Sequence, residues 1–232
     1  MDQYHIMIKF AFLFLALGLI VIPFVLQLDR KIFKEGTLPA AIGASLVSGV
    51  IFSAITLAMQ LAGLLHFDTA STTGVIIGGI PLEQYLLNFS FAFAALGLYQ
   101  YLNIKFPKND LQKYSLAVSN LLLGLCVAFL FFGYTKWYTM STFATLAIVL
   151  FLIEYVGSLR FMYKAYRAFL VMLVPFYLVY GILFWYGVLG VAKNQLTGMF
   201  VAKIPIETHF IALSMVLVSV YVFEFLKRKR SV

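Results

Sequence analysis

Charge is what this chain has least of. Only 11% of its 232 residues are Asp, Glu, Lys or Arg, and 63% are hydrophobic. Soluble domains carry about 25% charged residues. With a mean hydropathy of +0.98, a water-soluble fold is excluded and the bilayer becomes the solvent. Cys126 stands alone, so no intramolecular disulfide forms. The three histidines, His5, His66 and His209, are scattered without metal-ligand spacing, and no metal site is expected. Neither a G-x-G-x-x-G run nor a Walker-type loop is present, which argues against a bound nucleotide; no cofactor is expected. No segment alternates in the manner of a membrane barrel, so the spans are helices.

Long apolar runs are what the chain has in abundance. Seven windows, near 5–28, 38–65, 81–103, 115–134, 137–159, 165–190 and 205–226, each reach the roughly 20 residues that cross a bilayer. The first is too long for the apolar core of a cleaved signal and has no small-residue cleavage site, so it reads as a span. Thirteen of the 17 basic residues fall in alternate connections: Arg30, Lys31 and Lys34; Lys105, Lys108 and Lys113; Arg160, Lys164 and Arg167; and Lys227 to Arg230. The excess of basic residues on one side places the N-terminus outside and the C-terminus in the cytoplasm. The net charge of +8 is therefore a topology signal that meets anionic membrane lipid, and no nucleic-acid partner is expected. Tyr4, Tyr134, Trp137, Tyr138, Trp185 and Tyr186 sit near outer ends, where interface aromatics belong. Ala41, Ala44, Ser45, Ser48 and Gly49 give the second span a face for close helix packing.

One stretch occurs twice. TGVIIGGIPLE runs from Thr73 to Glu83 and TGMFVAKIPIE from Thr197 to Glu207; Thr, Gly, Ile, Pro and Glu recur 124 residues apart. Ser90 and Ser214 recur at the same offset, each seven residues past its glutamate and so on the same helical face. The copies enter spans three and seven, which run in the same direction. The expected architecture is an all-α integral membrane protein of two parallel three-helix repeats joined by a linking helix: 1–104, 105–136 and 137–232.

The glutamates admit two readings. With proline at the first helical position, Glu83 and Glu207 are third residues, where a carboxylate caps free amides and complements the helix dipole. An ionisable group in membrane-embedded sequence is equally a functional hypothesis. An apolar cavity favours the neutral form of a carboxyl group, the form that donates a proton. Glu154 and Glu224 read as structural, close to cytoplasmic-side basic residues. His66 and Asp68 lie in the outer connection after span two.

These motifs resemble the lycopene cyclase domain family, the small membrane cyclases of carotenoid synthesis. The resemblance rests on Pro81-Leu82-Glu83 and Pro205-Ile206-Glu207, on IPFVLQLDRK from Ile22 to Lys31, on Gly63 to Asp68, and on Asn194 in the second outer loop. The family has a second acid after each glutamate; here Gln84 and Thr208 hold those places, and Thr56 stands where an acid is usual in span two. The resemblance implies a redox-neutral isomerisation in a bacterial or archaeal cytoplasmic membrane. One acid protonates the acyclic ψ-end of a carotenoid, the cation closes to a six-membered ring, and a base removes a proton to leave a β-ionone ring. Glu83 and Glu207 then share the acid and base roles, and Asp68, Ser90, Asn194 and Ser214 contact an isoprenoid or carotenoid substrate. Two other readings stay open: a cyclase-fold protein that acts on or binds another isoprenoid or a quinone, and a small transporter built on the same three-one-three plan. Such transporters carry a proline in the first helix of each repeat; Pro23 supplies one here, but span five has none.

Overall fold

A computed structural model describes residues 2–33, 37–108, 112–157 and 161–230; Lys34 and Arg160, counted above as basic loop residues, lie outside them, as do the side chains of Tyr4, Lys9 and Arg230. Seven helices follow one another: α1 (Asp2–Asp29), α2 (Thr37–Leu61), α3 (Leu82–Lys105), α4 (Ser115–Phe132), α5 (Trp137–Phe151), α6 (Met162–Trp185) and α7 (Ile206–Arg230). A turn of π-helix, Leu152–Val156, extends α5.

Among the described residues, six of these helices are long and apolar enough to cross a membrane; α3 is not among them. All seven expected helices are present, and α3 is the one that falls short of this measure. The physical reason is position: α3 packs against α1, α2, α6 and α7, and protein rather than lipid surrounds it. A helix so placed can carry Gln84, Asn88, Tyr99 and Gln100, all buried, where a lipid-facing helix would have aliphatic residues. The small face of α2 packs as expected. Ala41, Ala44, Ser45, Ser48 and Gly49 are buried, and a Cβ added at Gly49 would stand 3.3 Å from Phe89 Cα of α3.

The connections before α3 and α7 are not plain loops. The first holds β1 (Leu65–Phe67), a 3-10 turn at Thr69–Ser71, β2 (Ile76–Ile77) and β3 (Ile80–Pro81); the second holds β4 (Leu189–Val191), a 3-10 turn at Lys193–Gln195, β5 (Phe200–Val201) and β6 (Ile204–Pro205). Every one of these elements recurs at the 124-residue offset. Strands β1 and β4 pair antiparallel, Leu65 with Val191, His66 with Gly190 and Phe67 with Leu189. Since Gly190 is the counterpart of His66, the pairing is centred on a local two-fold axis. Its flanking bonds obey the same symmetry, Asp68 N to Val188 O and Ala192 N to Leu64 O, both 3.0 Å. Far along α3 and α7, Tyr99 and Phe223, again counterparts, meet edge to face with ring centroids 6.3 Å apart. The axis therefore passes between the two central helices.

Candidate functional site

A cavity lies on this axis, just beneath the β1–β4 pair. It holds about 40 Å³ of free space, and counterparts line it in pairs: Leu65 with Leu189, Thr56 with Tyr180, Gln84 with Thr208, Asn88 with Ala212, and Phe91 with Met215. That volume admits two or three water molecules. Its polar wall includes Gln84, Asn88, Thr208 and Tyr138, beside Thr56 and Tyr180. Gln84 Nε2 donates to Asn88 Oδ1 at 3.0 Å, and Asn88 Nδ2 donates to Ser53 Oγ of α2 at 3.0 Å. Gln84 Oε1 is buried and has no partner. Tyr138 OH lies 3.4 Å from Thr208 Oγ1, a long contact that leaves both hydroxyls with capacity to spare. Tyr138 corrects the expectation of an interface aromatic: it is 3% exposed and faces the cavity, whereas Trp137 beside it is 65% exposed.

The two glutamates precede the cavity's polar pair by one residue each, Glu83 before Gln84 and Glu207 before Thr208, and both are buried. The helices begin at Leu82 and Ile206, so Pro81 is not the first helical residue as expected; its backbone is extended (φ −63°, ψ 146°). Glu83 and Glu207 are second residues, and their bonds run to the preceding loops rather than to the helix start. Thr73 N donates to Glu83 Oε1 at 2.5 Å. Thr197 N donates to Glu207 Oε1 at 2.8 Å, Thr197 Oγ1 at 2.9 Å, and Thr139 Oγ1 of α5 at 2.7 Å. One oxygen of each carboxyl group thus ties its helix start to a turn ten residues earlier. The other oxygen, Oε2, is buried without a partner in both.

The remaining sequence-predicted residues are spread. Ser90 Oγ donates to Leu86 O at 2.7 Å, and Ser214 Oγ to Phe210 O at 2.9 Å; each hydroxyl is held by its own helix. Asp68 caps the 3-10 turn, accepting from Ala70 N at 3.2 Å and Ser71 Oγ at 2.6 Å. Asn194 is exposed, and its backbone oxygen accepts from Lys136 Nζ at 3.1 Å. The cavity wall includes none of Glu83, Glu207, Asp68, Ser90, Asn194 and Ser214; it brings together Gln84 and Thr208, which the sequence marked only as replacements. Asn88 carried a signal, four residues past Gln84 and so on the same helical face. Glu154 and Glu224 were expected near basic side chains. Glu224 lines one pocket together with Lys164 and Lys227, and its Oε1 accepts from Tyr99 OH of α3 at 2.9 Å; Glu154 Oε2 accepts from Ser119 Oγ at 3.4 Å.

Two apolar grooves open on the sides of the bundle. One, about 400 Å³, runs between α2 and α3 past Gly49, Ser53, Tyr85 and Phe89. Ser53 belongs to both this groove and the cavity's hydrogen-bond chain. The other, about 530 Å³, lies between α4, α6 and α7. His209 lines it, next in sequence to Thr208. Its Nδ1 is 3.1 Å from Pro205 O and its Nε2 is 3.0 Å from Tyr177 OH. A carbonyl only accepts, so Nδ1 carries the proton and Tyr177 donates to Nε2. Among the described residues no group of three or more His, Cys, Asp and Glu could hold a metal ion.

The family model described as lycopene cyclase matches residues 9–102 and 135–226. No curated protein and no solved structure matches the chain.

Proposed function

The chain belongs to the lycopene cyclase family, and on that premise we propose that it is a membrane lycopene β-cyclase-like isomerase. The observation that carries this reading is the pair of buried glutamates, each with one oxygen tied to a loop and the other, Oε2, free of partners. A carboxyl group held in this way is oriented, yet keeps an atom with which to give or take a proton. Two of them, each next in sequence to a residue of the cavity wall, supply the acid that protonates the terminal double bond and the base that removes a proton after ring closure. No electrons are exchanged in that sequence.

In this proposal the seven helices form two parallel units of three, 1–104 and 137–232, with 105–136 as the link. The two matched segments, 9–102 and 135–226, and the recurrence of each outer element support that division. All seven helices, α3 included, span a bacterial or archaeal cytoplasmic membrane, with the N-terminus outside and the basic C-terminal end in the cytoplasm. The lateral groove beside Ser53 leads the polyene from the bilayer toward the cavity, which widens from about 40 Å³ to take the end group. Asp68, Ser90, Asn194 and Ser214 remain proposed substrate contacts. Alanine at a true contact raises KM at least fivefold, whereas alanine at a residue that only braces a turn or helix leaves KM unchanged.

A second reading has an observation of its own. The cavity wall carries an amide at Gln84 and a hydroxyl at Thr208, neither of which ionises near neutral pH. A cyclase-fold protein that binds another isoprenoid, or cyclises it, fits such a wall. Expression in a lycopene-accumulating bacterium separates the two. A lycopene cyclase shifts the extracted pigment to γ- or β-carotene, and an unchanged pigment with normal membrane expression rejects that activity.

A further inference from the structure

We infer that the ligand end entering the central cavity bears a hydroxyl group, and that Gln84 recognises it. This rests on the isoprenoid reading above and narrows the class of isoprenoid. Gln84 is only 4% exposed, and its amide nitrogen is committed to Asn88, itself committed to Ser53. Its oxygen is buried without a partner, and the residue lines the cavity. A buried polar atom left unpaired is costly, and structures rarely leave one without a purpose. Whichever way the amide is turned, one of its two polar atoms is left unpartnered; a hydroxyl both donates and accepts, and suits either.

The opposite wall supports the same chemistry. Thr208 Oγ1, the counterpart of the Gln84 side chain, and Tyr138 OH are 3.4 Å apart. A hydroxyl placed between Gln84 and this pair completes all three. A bare hydrocarbon end completes none, and it expels whatever water filled the 40 Å³ without replacing its hydrogen bonds. Sites built to bind a hydroxyl discriminate strongly against the analogue that lacks it, because their own polar groups are then left unpaired. An amide at this position recognises where an acid would protonate. Two of the positions at which this chain departs from the family pattern are thus the two that meet the proposed hydroxyl.

The test uses the full-length protein in lipid nanodiscs and a matched pair of ligands, lycopene and its hydrate with a tertiary hydroxyl on one end group. Equilibrium binding is followed through the carotenoid absorption spectrum. The hydrate binds at least tenfold more tightly to the native protein. Gln84→Leu removes that preference by bringing the hydrate's affinity down to that of lycopene; Gln84→Glu, which keeps an oxygen at the same reach, retains most of it. Thr208→Val, a milder change of similar shape, weakens the preference by a smaller factor. Equal affinity for both ligands, or a preference that survives Gln84→Leu, overturns the inference and leaves the isoprenoid reading standing. Failure to bind either ligand overturns both.

Discussion

The two outer hairpins have the same fold and are held differently. In the first, the turn between β2 and β3 is Gly78-Gly79, with φ of 63° and 106°; in the second, the turn between β5 and β6 is Ala202-Lys203, with φ of 49° and 66°. Glycine takes such angles freely, whereas a residue with a Cβ is strained there by about 1–2 kcal/mol. The clamps differ in the opposite sense. Glu83 accepts one hydrogen bond from its loop, while Glu207 accepts two from Thr197 and a third from Thr139. Thr139 corresponds at the 124-residue offset to Leu15 of α1, which has no donor to offer. The tighter clamp holds the more strained turn, and Lys203 adds a cation–π contact with Trp185, 3.4 Å from the ring centroid. Duplication has kept the geometry and let each half balance strain against hydrogen bonding in its own way.

Substitutions can break this balance in order of size. Glu207→Ala strips three donors of their acceptor and costs about 3–5 kcal/mol, against about 1–3 kcal/mol for Glu83→Ala; thermal denaturation in a fixed detergent measures both. Gly190→Ala comes next. A Cβ there runs into the His66 ring, at the one pair through which the local axis passes, and costs about 1–3 kcal/mol by overpacking. His66→Ala in the same chain restores most of that loss, since it removes the obstacle. Thr139→Val makes the second clamp resemble the first and costs about 1–2 kcal/mol. The smallest effect has the opposite sign: Ala202→Gly relieves the second turn and stabilises by about 1 kcal/mol. The corresponding Gly78→Ala destabilises the first by a similar amount, although the nearest atom to the new Cβ, Leu57 Cδ2, stands at an ordinary 3.5 Å.

Much of the fold was legible because apolar length and the 124-residue offset are both local signals. The helix positions, the small face of α2 and the equivalence of the outer loops follow from them. Gln84, Asn88 and Gln100 lie inside what reads as a third apolar window, and the central place of α3 was not legible, since a central helix is defined by its neighbours. Tyr138 and Trp137 look alike in sequence, as two aromatics at a helix start, yet one fills the cavity wall and the other faces outward. The glutamates stood out as a motif, and their spacing did not disclose the bond to a threonine amide ten residues earlier. That bond depends on how the hairpin folds back. Gln84 and Thr208 were noticed as missing acids; that they form the cavity's polar pair required the axis between α3 and α7.

The central claim is that Glu83 and Glu207 move protons and do not merely tie down loops. Glutamine keeps the Oε1 acceptor for the loop amides and abolishes the acid, so the two roles separate. The decisive measurement compares native protein, Glu83→Gln and Glu207→Gln in lycopene-accumulating cells at matched membrane levels, with pigments resolved by chromatography. The account predicts that native protein forms ring-bearing carotenoid and that each variant forms it at least 100-fold more slowly, within the range for loss of a general acid or base. Full conversion by both glutamine variants would contradict it.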